Sequence, residues 1–290
     1  MRVHHLNCAS HCATGRLLDG PSLFYPPPRR VCHCLLVEGP NALVLVDTGF
    51  GRADHLRSGN RATPKAAADH SPRGEAQTAV RQVEALGYDA RDVRHIVLTH
   101  LDFDHAGGLD DFPSAAVHLL DAEEKAATRR RTMLDRIRYR PEQWESRPRW
   151  VTYPWSEGEP WFGFECVRRL AGVPPGILLV PLPGHTVGHA GVAVEADGGW
   201  LLHAGDAYFH HDEIRPHRPH GTTGLRALER VMEKSRPALL HTQARLRDLM
   251  RDHSDEVAVF CSHDPRAFEE LSGRPVDALA ESHPEVERAS

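Results

Sequence analysis

One stretch constrains this chain more than any other: Thr99-His100-Leu101-Asp102-Phe103-Asp104-His105-Ala106-Gly107-Gly108, which follows the apolar run Ile96-Val97-Leu98. Such a run reads as a buried strand, so the stretch sits past a strand's C-terminal end. Two imidazoles and two carboxylates within six residues cannot all face a core, because burying them unpaired costs several kcal/mol each. They need water, partners or a metal. In an extended segment His100, Asp102 and Asp104 project to one side, since side chains alternate with period two. Asp104 and His105, being adjacent, can diverge toward a second ion. The glycine pair then permits a tight turn into a helix. A polar loop with a helix cap is the competing reading, and the density of ligand types weighs against it.

The chain has 21 histidines in 290 residues, so where they fall matters. Three further polar insertions follow apolar runs. Pro183-Gly184-His185-Thr186-Val187-Gly188-His189 comes after Ile177–Leu182, His203-Ala204-Gly205-Asp206-Ala207 after Trp200–Leu202, and Phe260-Cys261-Ser262-His263-Asp264 after Val257–Val259. Each puts a ligand-type residue just past a strand end, where α/β active sites gather. Singly each is a weak signal, because a lone histidine after a strand is more often a loop residue.

Strand-like runs recur at Val31–Glu38, Ala42–Asp47, Val93–Thr99, Ala115–Leu120, Ile177–Leu182, Ala190–Glu195, Trp200–His203 and Val257–Ser262. Helical patterns lie between them: Glu75–Leu86 stopped by Gly87, Asp121–Arg131, Leu225–Lys234, Ala238–Arg251 and Pro265–Leu271. This alternation gives an α/β or α+β class with large sheets. No linker divides the chain, so 1–290 reads as a single domain, with a lid or insertion at about 121–176. Residues 52–74 read as a long loop. Residues 129–165 read as irregular, with eight arginines and four of the five tryptophans. That segment suits a lid with tryptophan faces on an apolar substrate tail, or alternatively an aromatic packing cluster that could serve a homodimer contact.

The net charge of −5 argues against nucleic acid or an anionic membrane surface as partners. No apolar stretch approaches the ~20 residues of a membrane span, and the N-terminus has no apolar signal core, so the compartment reads as cytoplasmic. The six cysteines are then expected to be reduced. His4, His5, Cys8, His11 and Cys12 could bind zinc, but Cys-x3-Cys without a second pair is a weak pattern.

In order, these motifs resemble the metallo-β-lactamase-fold hydrolases. That family runs Asp-Thr-Gly, His-x-His-x-Asp-His, a later His, an Asp and a final His. Here the counterparts are Asp47-Thr48-Gly49, His100–His105, His185, Asp206 and His263, spanning about residues 31–264. The resemblance implies a four-layer αββα sandwich with two divalent metal ions at one edge. It implies His100, Asp102 and His185 on the first ion, Asp104, His105 and His263 on the second, and Asp206 bridging them. It also implies Asp47 fixing a ligand imidazole by hydrogen bond, and His189 as a neighbour of ligands rather than a ligand. The family usually has His at the position of Asp102. The extra carboxylate raises oxygen content and negative charge, so Mn²⁺ or Fe²⁺ stands beside Zn²⁺ as the expected metal.

Two ions bridged by a carboxylate can hold a hydroxide at neutral pH and polarise a substrate oxygen. The expected reaction is hydrolysis of a small-molecule lactone or carboxylic ester, with Asp104, Asp206 and Tyr208 as catalytic candidates. Gly-Asp-Ala with Tyr208 close behind and a terminal Ser-His-Asp resemble the N-acyl-homoserine lactonase branch. Tyr208 could donate to a developing oxyanion or simply pack under the site. A glyoxalase-II-like thioesterase, a phosphodiesterase of the same fold, and a metal-binding protein without hydrolytic turnover remain the alternatives.

Overall fold

The computed structural model describes residues 1–11, 30–58, 74–145, 149–221 and 223–276. Two six-stranded sheets form its middle. The first contains, in chain order, β1 (Arg2–His11), β2 (Arg30–Glu38), β3 (Leu43–Val46), β4 (Val93–Val97), β5 (Ala116–Leu120) and β6 (Arg149–Tyr153). β1, β2 and β3 pair antiparallel, whereas β3 through β6 run parallel. The second contains β7 (Glu159–Trp161), β8 (Phe164–Arg169), β9 (Ile177–Pro181), β10 (Ala190–Ala196), β11 (Gly199–His203) and β12 (Val257–Phe260). Only its β11–β12 pair is parallel. The described helices are α1 (Arg52–Ser58), α2 (Ala79–Ala85), α3 (Asp121–Arg129), α4 (Met133–Arg138), α5 (Thr223–Met232), α6 (Arg236–Asp252) and α7 (Pro265–Ser272).

Strand alternation sorts the apolar side chains into three layers of core. Leu35, Val37, Val44, Val46 and Val97 face Leu179, Val192, Val194 and Phe260 between the sheets. Their neighbours Leu36, Leu45 and Ile96 point the other way, onto Val80 and Val83 of α2 and Ala127 of α3. Leu178, Val180, Ala193 and Leu202 leave the second sheet toward Leu246 and Leu249 of α6. The result is the expected αββα sandwich. Sheets buried on both faces explain why their strands read as nearly continuous apolar runs.

The strands that carry the motifs end at one edge. β3 runs into Asp47, β4 into His100–His105, β9 into His185, β11 into Asp206 and β12 into His263. Backbone bonds stitch the two sheets there. Ala190 N–H donates to Thr99 O (2.9 Å) and His33 N–H to Ser262 O (2.9 Å).

Several elements differ from the sequence expectation. The helix expected over Glu75–Leu86 is a 3₁₀ turn, Glu75–Gln77, followed by α2, because Thr78 is extended and caps the turn through its hydroxyl to Glu75 O. Part of the supposed loop 52–74 is α1, with 59–73 outside the described residues. The supposedly irregular stretch 129–165 contains α4 and contributes strands to both sheets, β6 as the edge of the first and β7 and β8 to the second. Its tryptophans mostly pack. Trp144 and Trp150 lie edge to face against the outer core of the first sheet, and Trp161 lies against Phe162 and Trp200. Arg147 lies outside the described residues.

The N-terminal histidines do not gather. His4 pairs with Glu38 and His5 with His33, while Cys8 is buried in the core. The His11 side chain and Cys12 lie outside the described residues. Among the described residues no disulfide forms, and no helix is long and apolar enough to cross a membrane.

Candidate metal centre

The Asp206 carboxylate is the hub of the motif edge. Four imidazole Nε2 atoms point at it: His105 at 3.4 Å and His263 at 3.3 Å from Oδ1, His185 at 3.6 Å and His100 at 3.9 Å from Oδ2. Two donor groups flank it. In one, Asp102 Oδ2 lies 3.1 Å from His185 Nε2 and 3.5 Å from His100 Nε2. In the other, Asp104 Oδ2 lies 3.6 Å from His263 Nε2, and its Oδ1 lies 4.0 Å from His105 Nε2. The structure thus brings together all seven residues that the resemblance implied as ligands.

Hydrogen bonds from behind aim these rings. Asp47 takes the Thr99 N–H on Oδ1 (2.8 Å), and on Oδ2 the Thr99 hydroxyl (2.8 Å) and His105 Nδ1–H (2.9 Å). The Thr99 hydroxyl in turn accepts His100 Nδ1–H (2.9 Å). His263 Nδ1–H donates to Val31 O at 2.7 Å. His189 is a neighbour of the group: its Nδ1–H donates to Leu182 O (2.9 Å), and its Nε2 accepts the Asp206 backbone N–H (2.9 Å). Each such bond fixes a ring's tautomer and leaves Nε2 of His100, His105 and His263 as the donor into the site.

Glu123 couples the two main loops. It is fully buried in the first turn of α3. It accepts Leu101 N–H (3.0 Å), the Thr186 hydroxyl (2.6 Å) and Gly188 N–H (3.1 Å). The glycines of the His185 loop make this approach possible. A Cβ at position 188 would lie 2.2 Å from Glu123 N, and one at position 184 would lie 2.4 Å from Leu239 Cα.

Charges on this edge are mutually compensated. Burial opposes ionisation of His105, yet Asp206 and Asp47 raise it well above the usual imidazole range. Asp206 and Asp104 raise His263 against the same penalty. Despite burial, His263 and His105 hold Asp206 well below the usual carboxylate range, and His105 holds Asp47 down. Burial lowers His185 and lowers His189 strongly, so both rings are neutral.

The donor set fits a pair of divalent ions. Tetrahedral bonds of about 2.0 Å place donors about 3.3 Å apart, and the separations here run from 3.1 to 4.0 Å, so closing on an ion would draw the more distant pairs inward. His100 Nε2, His105 Nε2 and Asp206 Oδ1 are buried without a hydrogen-bond partner, an arrangement that otherwise costs about 1–3 kcal/mol per atom. The neighbouring carboxylates favour the protonated forms of His105 and His263, and a ring that ligates through Nε2 gives up the proton there. Zinc titrated calorimetrically near pH 7, in buffers of different ionisation enthalpy, is expected to release protons. Affinity should fall as the pH is lowered. Without metal, the stabilisation from His105 and His263 is present below their unfolded value of about 6.5 and fades as pH rises through their raised folded values. That from Asp206 fades as pH falls through its lowered one. A proton count near zero would contradict this charge arrangement.

Tyr208 is not brought into the group. Its ring is buried with Leu246, Leu249 and Cys261 outside the second sheet, and burial pushes its hydroxyl well above the usual phenol range. That placement corrects its reading as an oxyanion donor in favour of packing. Phe209 instead lies over the site, its ring centroid 5.8 Å from those of both His185 and His263.

Sequence reasoning missed four contributors. Arg138 reaches Asp102, and Glu123 ties the loops. Gln143 donates to Asp54 and to Phe103 O at 2.9 Å each, bracing the motif loop. Cys32 places its sulfur with Asp104 and His263, all donor atoms within 4.8 Å. The Thr132-x-x-Asp135 capping box could have disclosed α4, which carries Arg138. No comparable signal marks the others.

Residues 27–263 match the family model of the metallo-beta-lactamase superfamily. A probable metallo-hydrolase of Mycobacterium tuberculosis is 42% identical over 272 residues, 93% of this chain and 82% of the relative. An N-acyl homoserine lactonase of Bacillus cereus is 26% identical over 216 residues, 70% of this chain and 77% of the relative. A solved N-acyl homoserine lactone hydrolase, with its product N-hexanoyl-L-homoserine at the catalytic metal centre, superposes with a TM-score of 0.68 at 20% identity, covering 94% of this chain and 96% of that one. Motif order, sandwich topology and a match over most of its length agree, and the chain belongs to the metallo-β-lactamase superfamily.

Proposed function

We propose that this protein is a metal-dependent hydrolase that opens a lactone or cleaves a carboxylic ester of a small molecule. The observation that carries the reading is the Asp206 carboxylate, with one oxygen toward His105 and His263 and the other toward His100 and His185. In this reading His100, Asp102 and His185 would hold one divalent ion, Asp104, His105 and His263 would hold the other, and Asp206 would serve both. When bound, the pair supplies Lewis acidity and lowers the pKa of water.

The chain's own residues do the rest. Asp206 fixes the separation of the two donor groups. Asp104 is the most solvent-accessible of the seven, with a side chain 17% exposed, and we assign it the relay of the proton that the attacking water loses to the alkoxide oxygen of the cleaved C–O bond. Phe209 keeps bulk water from the histidines beneath it, which strengthens the electrostatics of the site. Residues 140–143 wall the motif loop on one side: Arg140 stacks 4.1 Å over the Phe103 ring, and Gln143 holds the Phe103 carbonyl. The lactone preference rests on the homoserine-lactone hydrolases among the relatives and solved neighbours. Zinc leads as the metal because a dizinc quorum-quenching lactonase shares the fold, with a TM-score of 0.55.

The test is a substrate panel. Protein purified without chelator and loaded with Zn²⁺, Mn²⁺ or Fe²⁺ is offered acyl lactones, carboxylic esters, thioesters and phosphodiesters. Turnover of lactones or esters that chelation abolishes is the expected result. Thioester or phosphodiester turnover alone would replace this substrate class, and failure to take up metal would overturn the reading.

A further inference from the structure

Asp102 stands where the motif would ordinarily put an imidazole, and the structure shows what accompanies the exchange. Arg138, at the end of α4, is 0% exposed. Its Nε lies 3.3 Å from Asp102 Oδ1, an ion-pair contact without hydrogen-bond geometry, so that both atoms are buried with no hydrogen-bond partner. Its Nη1 donates to the His185 carbonyl (3.1 Å) and its Nη2 to the Met232 carbonyl (2.6 Å). The other carboxylate oxygen, Oδ2, faces His185 and His100. The two oxygens of Asp102 are therefore divided, one for a cation of the protein and one for the donor group. A fully buried guanidinium is a costly thing to place without a partner.

We propose that Arg138 is a positioning residue for the first metal: it holds Asp102 Oδ1 and cancels its charge, so that Asp102 and Arg138 together present one oxygen donor with the net charge of an imidazole. This rests on the metal reading of the site. Turning the carboxylate to chelate with both oxygens would pull Oδ1 away from the guanidinium charge beside it. Through the His185 carbonyl, the same side chain sets the height of a second ligand of that ion. The charge argument extends to the reverse exchange. A neutral imidazole at position 102 would take away the carboxylate nearest the buried guanidinium and leave its charge, with Glu123 as the remaining anion, beside a divalent cation, so restoring the ordinary ligand should require removing the arginine as well.

The test measures metal content and affinity in the full-length protein, by elemental analysis after gel filtration and by competition with a chromophoric zinc chelator. The parent is expected to bind two zinc ions per chain. Arg138→Met should keep one at parental affinity and weaken the other by about 10–100-fold, the usual effect of losing a residue that orients a ligand. Arg138→Lys keeps the charge but not the fork, and should lose less. Asp102→His alone should also weaken one ion, whereas the Asp102→His/Arg138→Met double variant should return to near the parental affinity. That rescue is a readout that a purely architectural role for Arg138 would not give, and it holds even if Arg138→Met by itself folds poorly. A parent that takes up no divalent ion overturns the metal reading and this inference with it. A parent that binds two ions, with Arg138→Met matching it or with the double variant showing the summed losses of the single ones, overturns this inference alone.

Discussion

Asp206→Asn is expected to cost more activity than any other single change at the site, about a thousandfold or more, and to lower the content of both metals. The amide keeps the shape of the carboxylate but offers one oxygen, while its NH₂ faces one of the two imidazole pairs as a donor. It therefore fails both groups at once, one for lack of a lone pair and the other for lack of charge. Losing a residue that merely orients a ligand costs about 10–100-fold, and the loss here is of the shared ligand itself. The fold should survive, because the Asp206 backbone N–H still donates to His189 Nε2. Elemental analysis, circular dichroism and turnover on the best substrate of the panel check the three parts separately. Tyr208→Phe, which removes a hydroxyl from the packed cluster outside the second sheet, is expected to leave metal content and turnover close to the parent. Full metal occupancy in Asp206→Asn would remove Asp206 from the bridging position.

The donor set was legible because ligand chemistry is local in sequence. His100, Asp102, Asp104 and His105 fall within six residues after an apolar strand, and no ordinary core or surface accounts for that density. His185, Asp206 and His263 could be added only through their order, since each alone resembles a loop residue. What surrounds the ligands was not legible. Arg138 sits in an arginine-rich stretch in which nothing distinguishes it from its exposed neighbours, such as Arg129 and Arg131. It is the 47-residue separation from His185, closed only in the folded chain, that gives it a role. Tyr208 stayed open between two readings for the converse reason. Proximity in sequence to Asp206 suggested proximity in space, but the chain turns at Gly205–Ala207, where Ala207 N–H donates to Ala204 O, so strand alternation does not carry over to Tyr208.

The same contrast holds for the fold. The inner strands announced themselves through runs of Val, Leu and Ile buried on both faces. β1 did not, because His4, His5, Asn7 and Cys8 interrupt its apolar pattern. β6 was hidden in the same way: it is an edge strand, and its Arg149 and Thr152 are exposed. Edge strands read as polar because only part of their surface meets the core.

Glu123→Ala is expected to lower the unfolding free energy of the metal-stripped protein by about 3–5 kcal/mol, among the largest effects of any single side chain outside the ligands. Glu123 is fully buried and takes three donors, the amides of Leu101 and Gly188 and the hydroxyl of Thr186. Truncation leaves all three facing a cavity. Each buried donor without a partner costs about 1–3 kcal/mol, and bonds to a charged acceptor are at the strong end of that range. Metal must be removed first, because ions that bind only the folded state add stability by mass action and would mask part of the loss. Glu123→Gln should recover some of it: the amide oxygen can accept two of the donors, but its NH₂ is turned against the third. Equilibrium urea unfolding measures both variants. Leu101 lies between His100 and Asp102, and Thr186 follows His185, so the loosened loops carry the residues of one donor group. Metal affinity should accordingly fall in the same order as stability, Ala below Gln below the parent. A loss under about 1 kcal/mol in Glu123→Ala, the size of one ordinary hydrogen bond, would mean that water enters to replace the carboxylate and that the two loops are held together by other contacts.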